Sequence, residues 1–223
     1  MSATVLILGG TREACELAAR LVRDHPDWRV ITALAGRTVA PALPPGEVRV
    51  GGFGGADGLA AYLRAERVTR LIDATHPFAR TISAHARRAA GSVGVPLEVV
   101  SRPPWRRELG DDWTEVATLA EARDAIPAGA RVLLAVGSRH LGTFAGRGDV
   151  YFVVRMVDPP RERLPFADHE LVIGKPGGVE EETALLAAKR ITHVVCRNSG
   201  GEASYAKIAA ARRLGLTVIM IGR

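Results

Sequence analysis

The chain has 223 residues and a mass of 23.7 kDa, enough for one sizeable core or two small ones. With 47% hydrophobic and 24% charged residues it sits at the globular average, which excludes disordered, collagen-like and fibrous classes. Lys and Arg number 30 against 24 Asp and Glu, a net charge of +6. Thr4 to Leu8 is a run of β-branched and leucine residues ending in Gly9-Gly10, and from Glu13 to Val22 apolar residues fall at helical spacing, so the chain opens strand, turn, helix. A second strand is expected over Arg29 to Leu34, ending in Ala35-Gly36-Arg37, and a third over Glu47 to Val50, closed by Gly51-Gly52-Phe53-Gly54-Gly55. Asp57 to Arg67 reads as a helix, Leu71 to Ala74 as a strand, Phe78 to Ala90 as a helix and Leu97 to Val100 as a strand.

After Ser101-Arg102-Pro103-Pro104-Trp105 the composition turns polar and the pattern restarts, which places a domain boundary between 1–104 and 105–223. A helix near Leu119 to Ala125 precedes strands at Arg131 to Val136, Val150 to Val154 and Leu171 to Ile173. Helices over Val179 to Lys189 and Ser204 to Leu214 then alternate with strands over His193 to Cys196 and Leu216 to Ile221. Apolar strands that do not alternate with polar residues belong to parallel sheets covered on both faces. The expected fold is therefore α/β, with two parallel-sheet domains and a ligand cleft between them at the carboxyl ends of the strands.

No stretch approaches the roughly 18 apolar residues of a membrane span, and the start of the chain has no basic leader or cleavage site, so a cytoplasmic location without membrane attachment is expected. Cys15 and Cys196 form no C-x-x-C and are read as two small buried apolar residues. All the cations but Lys175, Lys189 and Lys207 are arginine, a planar fork suited to carboxylates and phosphates; a GC-rich coding sequence is the alternative source of the bias. Scattered basic residues and 5% aromatics give little material for a nucleic-acid platform, which leaves an acidic small molecule as the better partner.

Chemistry concentrates at the strand ends. A strand closing in Gly9-Gly10-Thr11-Arg12-Glu13 before a helix leaves amide donors and a positive dipole end for a phosphate. The spacing departs from G-x-G-x-x-G, because Thr11 and Ala14 stand where the second and third glycines would; a tight turn without ligand is the alternative. An NAD site usually shows an acidic residue after the second strand. Here Gly36, Arg37 and Thr38 occupy that place, which suits a 2′-phosphate and so NADPH, with a solvated surface arginine as the plain alternative. Gly54 and Gly55 would let a backbone approach a flat ligand, and Asp73-Ala74-Thr75-His76-Pro77-Phe78-Ala79 sets a hydroxyl and an imidazole on the same rim. In the second half Ser138 and Arg139, Lys175 with its glycines, and Asn198-Ser199-Gly200-Gly201 each follow a strand and offer donors to carboxylates. Tyr205 and Lys207 are two apart on a helix, about 200° around it, which rules out the Tyr-x-x-x-Lys pair of short-chain dehydrogenases. His25, His140, His169 and His193 stand isolated, and no metal-spaced cluster, Walker loop or G-x-S-x-G elbow is present.

Taken together, Gly9-Gly10-Thr11-x-Glu13, Ala35-Gly36-Arg37-Thr38, Gly51-Gly52-Phe53-Gly54-Gly55, Asp73 to Ala79, Arg102-Pro103-Pro104-Trp105, Lys175 with its glycines, and Asn198 to Gly201 followed by Tyr205-Ala206-Lys207 resemble the precorrin-6A reductase family of cobalamin (vitamin B12) biosynthesis, including its cobalt-precorrin members. The resemblance covers essentially the whole chain. It implies two Rossmann-like domains with cofactor and substrate between them, residues 1–104 binding NADPH and 105–223 contributing substrate contacts. It also implies NADPH-dependent reduction of a macrocycle double bond of precorrin-6A, with a hydride to C19 and a proton to C18, giving precorrin-6B. On this reading Gly9, Gly10, Thr11, Glu13, Gly36, Arg37, Thr38, Gly54, Gly55 and Thr75 face the cofactor. His76, Ser138, Arg139, Lys175, Ser199, Gly200, Gly201 and Tyr205 face the substrate. His76, with Tyr205 and Lys207 behind it, is the candidate proton donor. Precorrins carry many acetate and propionate carboxylates, so dispersed arginines and a positive field suit their capture. Other enzymes of the same pathway are the expected protein partners. The alternatives are an NADPH-dependent reductase of another anionic small molecule and a non-catalytic NADP-sensing protein.

Overall fold

The computed structural model describes residues 2–36 and 43–223, and the chain divides into two compact units, Met1–Arg102 and Pro103–Arg223. The first unit runs β1 (Thr4–Leu8), α1 (Arg12–Asp24), β2 (Arg29–Leu34), β3 (Glu47–Val50), α2 (Gly55–Ala65), β4 (Arg70–Asp73), α3 (Arg80–Val93) and β5 (Leu97–Val99). Its strands form one parallel sheet in the order β3-β2-β1-β4-β5. The continuous apolar run of β1 follows from this, because successive side chains serve opposite faces. Val5 and Ile7 pack with Ala14, Leu17 and Ala18 of α1, whereas Leu6 and Leu8 pack with Leu59 and Leu63 of α2 and Ala86 and Ala89 of α3. α1 begins where Thr11 accepts the Ala14 amide at 3.1 Å, the N-cap that its hydroxyl side chain favours. The same hydroxyl donates to the Ala74 carbonyl at 2.8 Å, which ties the end of β1 to the end of β4.

The second unit runs β6 (Asp112–Val116), α4 (Leu119–Asp124), β7 (Arg131–Ala135), a 3-10 helix (Ser138–Phe144), β8 (Tyr151–Met156), β9 (His169–Ile173), α5 (Val179–Ala188), β10 (His193–Arg197), α6 (Ala206–Arg213) and β11 (Thr217–Ile221). These six strands are also parallel, in the order β6-β11-β10-β7-β8-β9. Sequence patterning misses two of the elements. β6 is an edge strand whose single buried side chain is Trp113, so it lacks the apolar run that marks its neighbours. The 3-10 helix buries Leu141 and Phe144, and it falls where the sequence suggests only a polar turn.

A buried ion pair ties α5 to the sheet. Arg155 of β8 donates to Glu182 at 2.6 Å, with the two side chains 8% and 3% exposed. The other Glu182 oxygen accepts the Gly177 amide at 3.1 Å, while Arg155 Nε is buried without a hydrogen-bond partner. Removing one member of such a pair leaves the other charge uncompensated in the interior. Glu182→Ala should therefore destabilise the protein by about 3–5 kcal/mol, read as a lower denaturant midpoint in urea unfolding. An unchanged midpoint would mean that Arg155 reaches water.

Candidate functional site

In a parallel sheet every strand ends at the same edge, and a crevice opens where two neighbouring strands send their crossovers in opposite directions. In the first unit those strands are β1 and β4. Gly9 and Gly10, alike in sequence, do different things there. The Gly9 amide donates to the Ala33 carbonyl at 2.9 Å, and a Cβ on Gly9 would lie 2.8 Å from Thr32 Cγ2, so its smallness serves the contact with β2. Gly10 is exposed, with φ +103° and open space around it, and leaves backbone accessible at the turn into α1.

Beside this turn lies an open hollow that includes Thr11, Glu13, Thr75, Ser101 and Arg102 in its lining. Glu13 and Arg102 form an ion pair at 2.7 Å, their side chains 29% and 16% exposed. Burial pushes the Glu13 carboxyl up, but its own backbone amide, Arg102 and Thr11 together outweigh burial and hold it below the ordinary value. Its Oε2 remains buried without a hydrogen-bond partner. Glu13 thus offers an acceptor, while Arg102, 89 residues away, supplies the cation. Sequence reasoning does not place Arg102 in the site, although it opens the Arg102-Pro103-Pro104-Trp105 motif.

On the β4 side, buried Asp73 accepts the Thr75 amide at 3.1 Å and its hydroxyl at 2.6 Å. His76 follows on the rim, its Nδ1 accepting the Phe78 amide at 3.3 Å, which places the proton of a neutral ring on Nε2. After β3, Gly54 and Gly55 have φ +79° and +97°, and a Cβ on either would meet nothing within 4 Å. Arg49 braces this loop by donating to the carbonyls of Gly51 at 2.6 Å and Gly52 at 2.9 Å and lies 4.0 Å from the centre of the Phe53 ring; sequence reasoning misses it too. Gly36 closes β2 with φ +68°, and Arg37 and Thr38 lie outside the described residues.

In the second unit the diverging strands are β7 and β10. Ser138 and Arg139 are exposed after β7, and Lys175 is exposed between β9 and α5, all open to a ligand. The Asn198 loop differs from its sequence reading. Asn198 clamps the Trp105 backbone like a neighbouring strand, accepting its amide at 2.8 Å and donating to its carbonyl at 2.9 Å. Ser199 is buried, its amide donating to the Arg197 carbonyl at 2.7 Å. A Cβ on Gly200 would sit 2.1 Å from the Pro103 carbonyl oxygen, and the Gly201 carbonyl accepts Trp105 Nε1 at 2.8 Å. Ser199, Gly200 and Gly201 therefore anchor the chain around Trp105, whereas their sequence reading gives them a grip on substrate.

Tyr205 and Lys207 are held by contacts in the same region. The Tyr205 hydroxyl donates to Glu108 at 2.7 Å and accepts from Arg212 at 2.5 Å, and burial with the Glu108 hydrogen bond pushes the phenol up. Lys207 is buried, donates to the Ser204 carbonyl at 2.6 Å and lies 4.9 Å from the Trp105 ring centre. Burial pulls its ammonium down. Both side chains are thus engaged by neighbours in their own unit, while His76 follows β4 on the rim.

Among the described residues no helix is long and apolar enough to cross a membrane. The family model described as precorrin-6x reductase CbiJ/CobK matches residues 4–223. A precorrin-6A reductase of Rhodobacter capsulatus is 46% identical over 221 residues, covering 98% of this chain and 87% of its relative. A cobalt-precorrin-6A reductase of Priestia megaterium is 30% identical, covering 98% of this chain and 90% of the relative. A solved structure described as CobK precorrin-6A reductase superposes with a TM-score of 0.95 at 45% identity, covering 99% of this chain and 88% of the other.

The Glu13–Arg102 pair has a pH signature. A carboxylate held below its unfolded value adds stability that is fully present above 4.5 and is lost as the pH falls through the folded-state value. Glu13→Gln should flatten the acid limb of a stability-against-pH curve. If both proteins lose stability in parallel on acidification, the pair contributes nothing.

Proposed function

The chain belongs to the precorrin-6x reductase family, CbiJ/CobK, and we propose that it reduces precorrin-6A to precorrin-6B with NADPH, a hydride going to C19 and a proton to C18. It is an oxidoreductase acting on a CH–CH group in cobalamin biosynthesis. The observation that carries the cofactor half of the proposal is the hollow beside β1 and β4. Its donor set suits a phosphorylated ribose: the unpartnered Glu13 Oε2 can accept from a sugar hydroxyl, and Arg102 and the open Gly10 backbone can meet a phosphate. Gly54 and Gly55 add accessible backbone after β3, and Arg37 and Thr38 extend the set on the strength of their sequence position after β2.

NADPH supplies the hydride when bound, so the residues of the chain have to bind, orient and protonate. Residues 1–104 take the cofactor in this proposal and 105–223 the substrate. Exposed Ser138, Arg139 and Lys175 suit the carboxylate side chains of a tetrapyrrole. His76 is the acid of this proposal: as an imidazolium it gives up one proton and is left as the neutral ring, and an imidazole side chain suits proton transfer near neutral pH.

Two measurements test this reading. Arg37→Ala should weaken NADPH about tenfold to a hundredfold while leaving NADH nearly unchanged, and equal affinity of the unmutated protein for the two cofactors would overturn the 2′-phosphate assignment. In single-turnover reduction of precorrin-6A at saturating NADPH, His76→Ala should slow the reaction about 10²–10⁴-fold. A rate matching that of the unmutated enzyme across the pH range would make His76 a brace of its loop and leave protonation to solvent.

A further inference from the structure

The hollow beside β1 and β4 is polarised, and its polarity follows from where each proton on the β4 side goes. Ala74, Thr75 and Pro77 line it there. The Ala74 amide donates to the Leu8 carbonyl at 3.0 Å, the Thr75 amide donates to Asp73 Oδ1 at 3.1 Å, and a proline has no N–H. The Thr75 hydroxyl lies 2.6 Å from the same Asp73 oxygen. An oxygen that already takes an amide proton is an acceptor, so the hydroxyl must give it its single proton. Ser83 Oγ of α3, 3.5 Å from Thr75 Oγ1, can then only donate, and occupies one lone pair of the two. On the β1 side the Thr11 hydroxyl likewise spends its proton on the Ala74 carbonyl while accepting the Ala14 amide. The β4 wall therefore has no proton to give, whereas the Thr75 oxygen keeps a lone pair. Asp73 imposes this from inside the core, 3% exposed and flanked by Leu8 of β1 and Val99 of β5.

We propose that Asp73 is a positioning residue that fixes the Thr75 hydroxyl as a hydrogen-bond acceptor, and that the group it meets is a neutral N–H or O–H donor on the nicotinamide half of the cofactor. The two sides of the hollow then divide the ligand. Phosphate belongs with the open Gly10 backbone at the turn into α1. The β4 wall, which offers oxygen lone pairs and no proton, disfavours an anion and accepts from a carboxamide or a ribose hydroxyl. The two halves of a dinucleotide lie to either side of the switch point of such a sheet, and β4 and β5 are the strands on its far side here. A hydroxyl free to rotate serves donors and acceptors alike, whereas one whose proton is held by a buried carboxyl oxygen discriminates between them. The inference rests on the cofactor reading given above.

The test is a set of affinities measured on the full chain by calorimetric titration. Thr75→Val, close in shape but without the oxygen, should weaken NADPH about tenfold and leave 2′,5′-ADP, which lacks the nicotinamide half, unchanged. Thr75→Ser should bind both as the unmutated protein does. The acetylpyridine analogue of NADPH, in which a methyl ketone replaces the carboxamide, separates the two donors. With a carboxamide partner Thr75→Val costs this analogue nothing, and with a ribose hydroxyl the tenfold loss persists. Asp73→Ala, which frees the Thr75 proton, should weaken NADPH by itself but add nothing in the Thr75→Val background, and Asp73→Asn, whose amide oxygen can accept both bonds, should restore binding. An Asp73→Ala cost undiminished in the Thr75→Val background would make Asp73 a brace of the β4 end and overturn the proposal. Should Asp73→Ala fail to fold, Thr75→Val against Thr75→Ser decides. Unchanged NADPH affinity in Thr75→Val, or an equal loss for 2′,5′-ADP, overturns the proposal while leaving the cofactor in place. An unmutated protein that binds neither nucleotide overturns the cofactor reading itself.

Discussion

Parallel pairing is the constraint on which the rest of this molecule depends. It sends every strand end of a unit to one edge, and each return crossover must cover a face of the sheet, which is why β1 can be apolar on both sides. In each unit the chain also reverses its direction of winding once, so that crossovers diverge between β1 and β4 and between β7 and β10. At such a point neighbouring strands end with no crossover bridging them, and polar residues can line a recess without breaking a core. Glu13 and Arg102 occupy the first of these places, and Arg197 and His140 the second.

The central strands were legible because strands buried on both faces are built from runs of Val, Ile and Leu. β6 was not legible, since an edge strand with a solvated face needs only Trp113 buried. At the sites the sequence marks where the backbone must turn but not why. Gly9 and Gly10 look equivalent, yet one is small to pack against Thr32 and the other is free to expose its backbone. Partners distant in sequence are the other blind spot. His140 reads as an isolated histidine because Arg197 lies 57 residues on, and Glu13 reads as part of a cofactor fingerprint because its guanidinium partner comes from beyond β5.

Several chemically suggestive residues gather around Trp105. Asn198 holds both of its main-chain polar groups, Gly201 takes its indole N–H, Lys207 sits against the ring and the Tyr205 ring lies tilted against it at 5.9 Å. The last two are the tyrosine and lysine that a search for a proton relay would select. Placing buried Lys207 beside a π face and a carbonyl lessens the cost of a charge taken out of water. The side chains of Tyr205 and Lys207, at the start of α6, thus help to seat one large aromatic side chain.

The pairing of β6 with β11 also sets an order of events for the nascent chain. β6 is the first strand of its unit to be made, yet its neighbour in the sheet is the last, with Asp112 opposite Thr217 at a sequence separation of 105. The first unit can close on itself as soon as β5 has been synthesised, whereas the second holds an unpaired strand through the whole synthesis of its own sheet. Closing so long a loop is slow, and an open strand edge invites pairing with other chains. The polar alternation of β6, which hides it from sequence patterning, is what makes that wait tolerable, since Asp112, Thr114 and Glu115 give a waiting strand little apolar surface through which to aggregate.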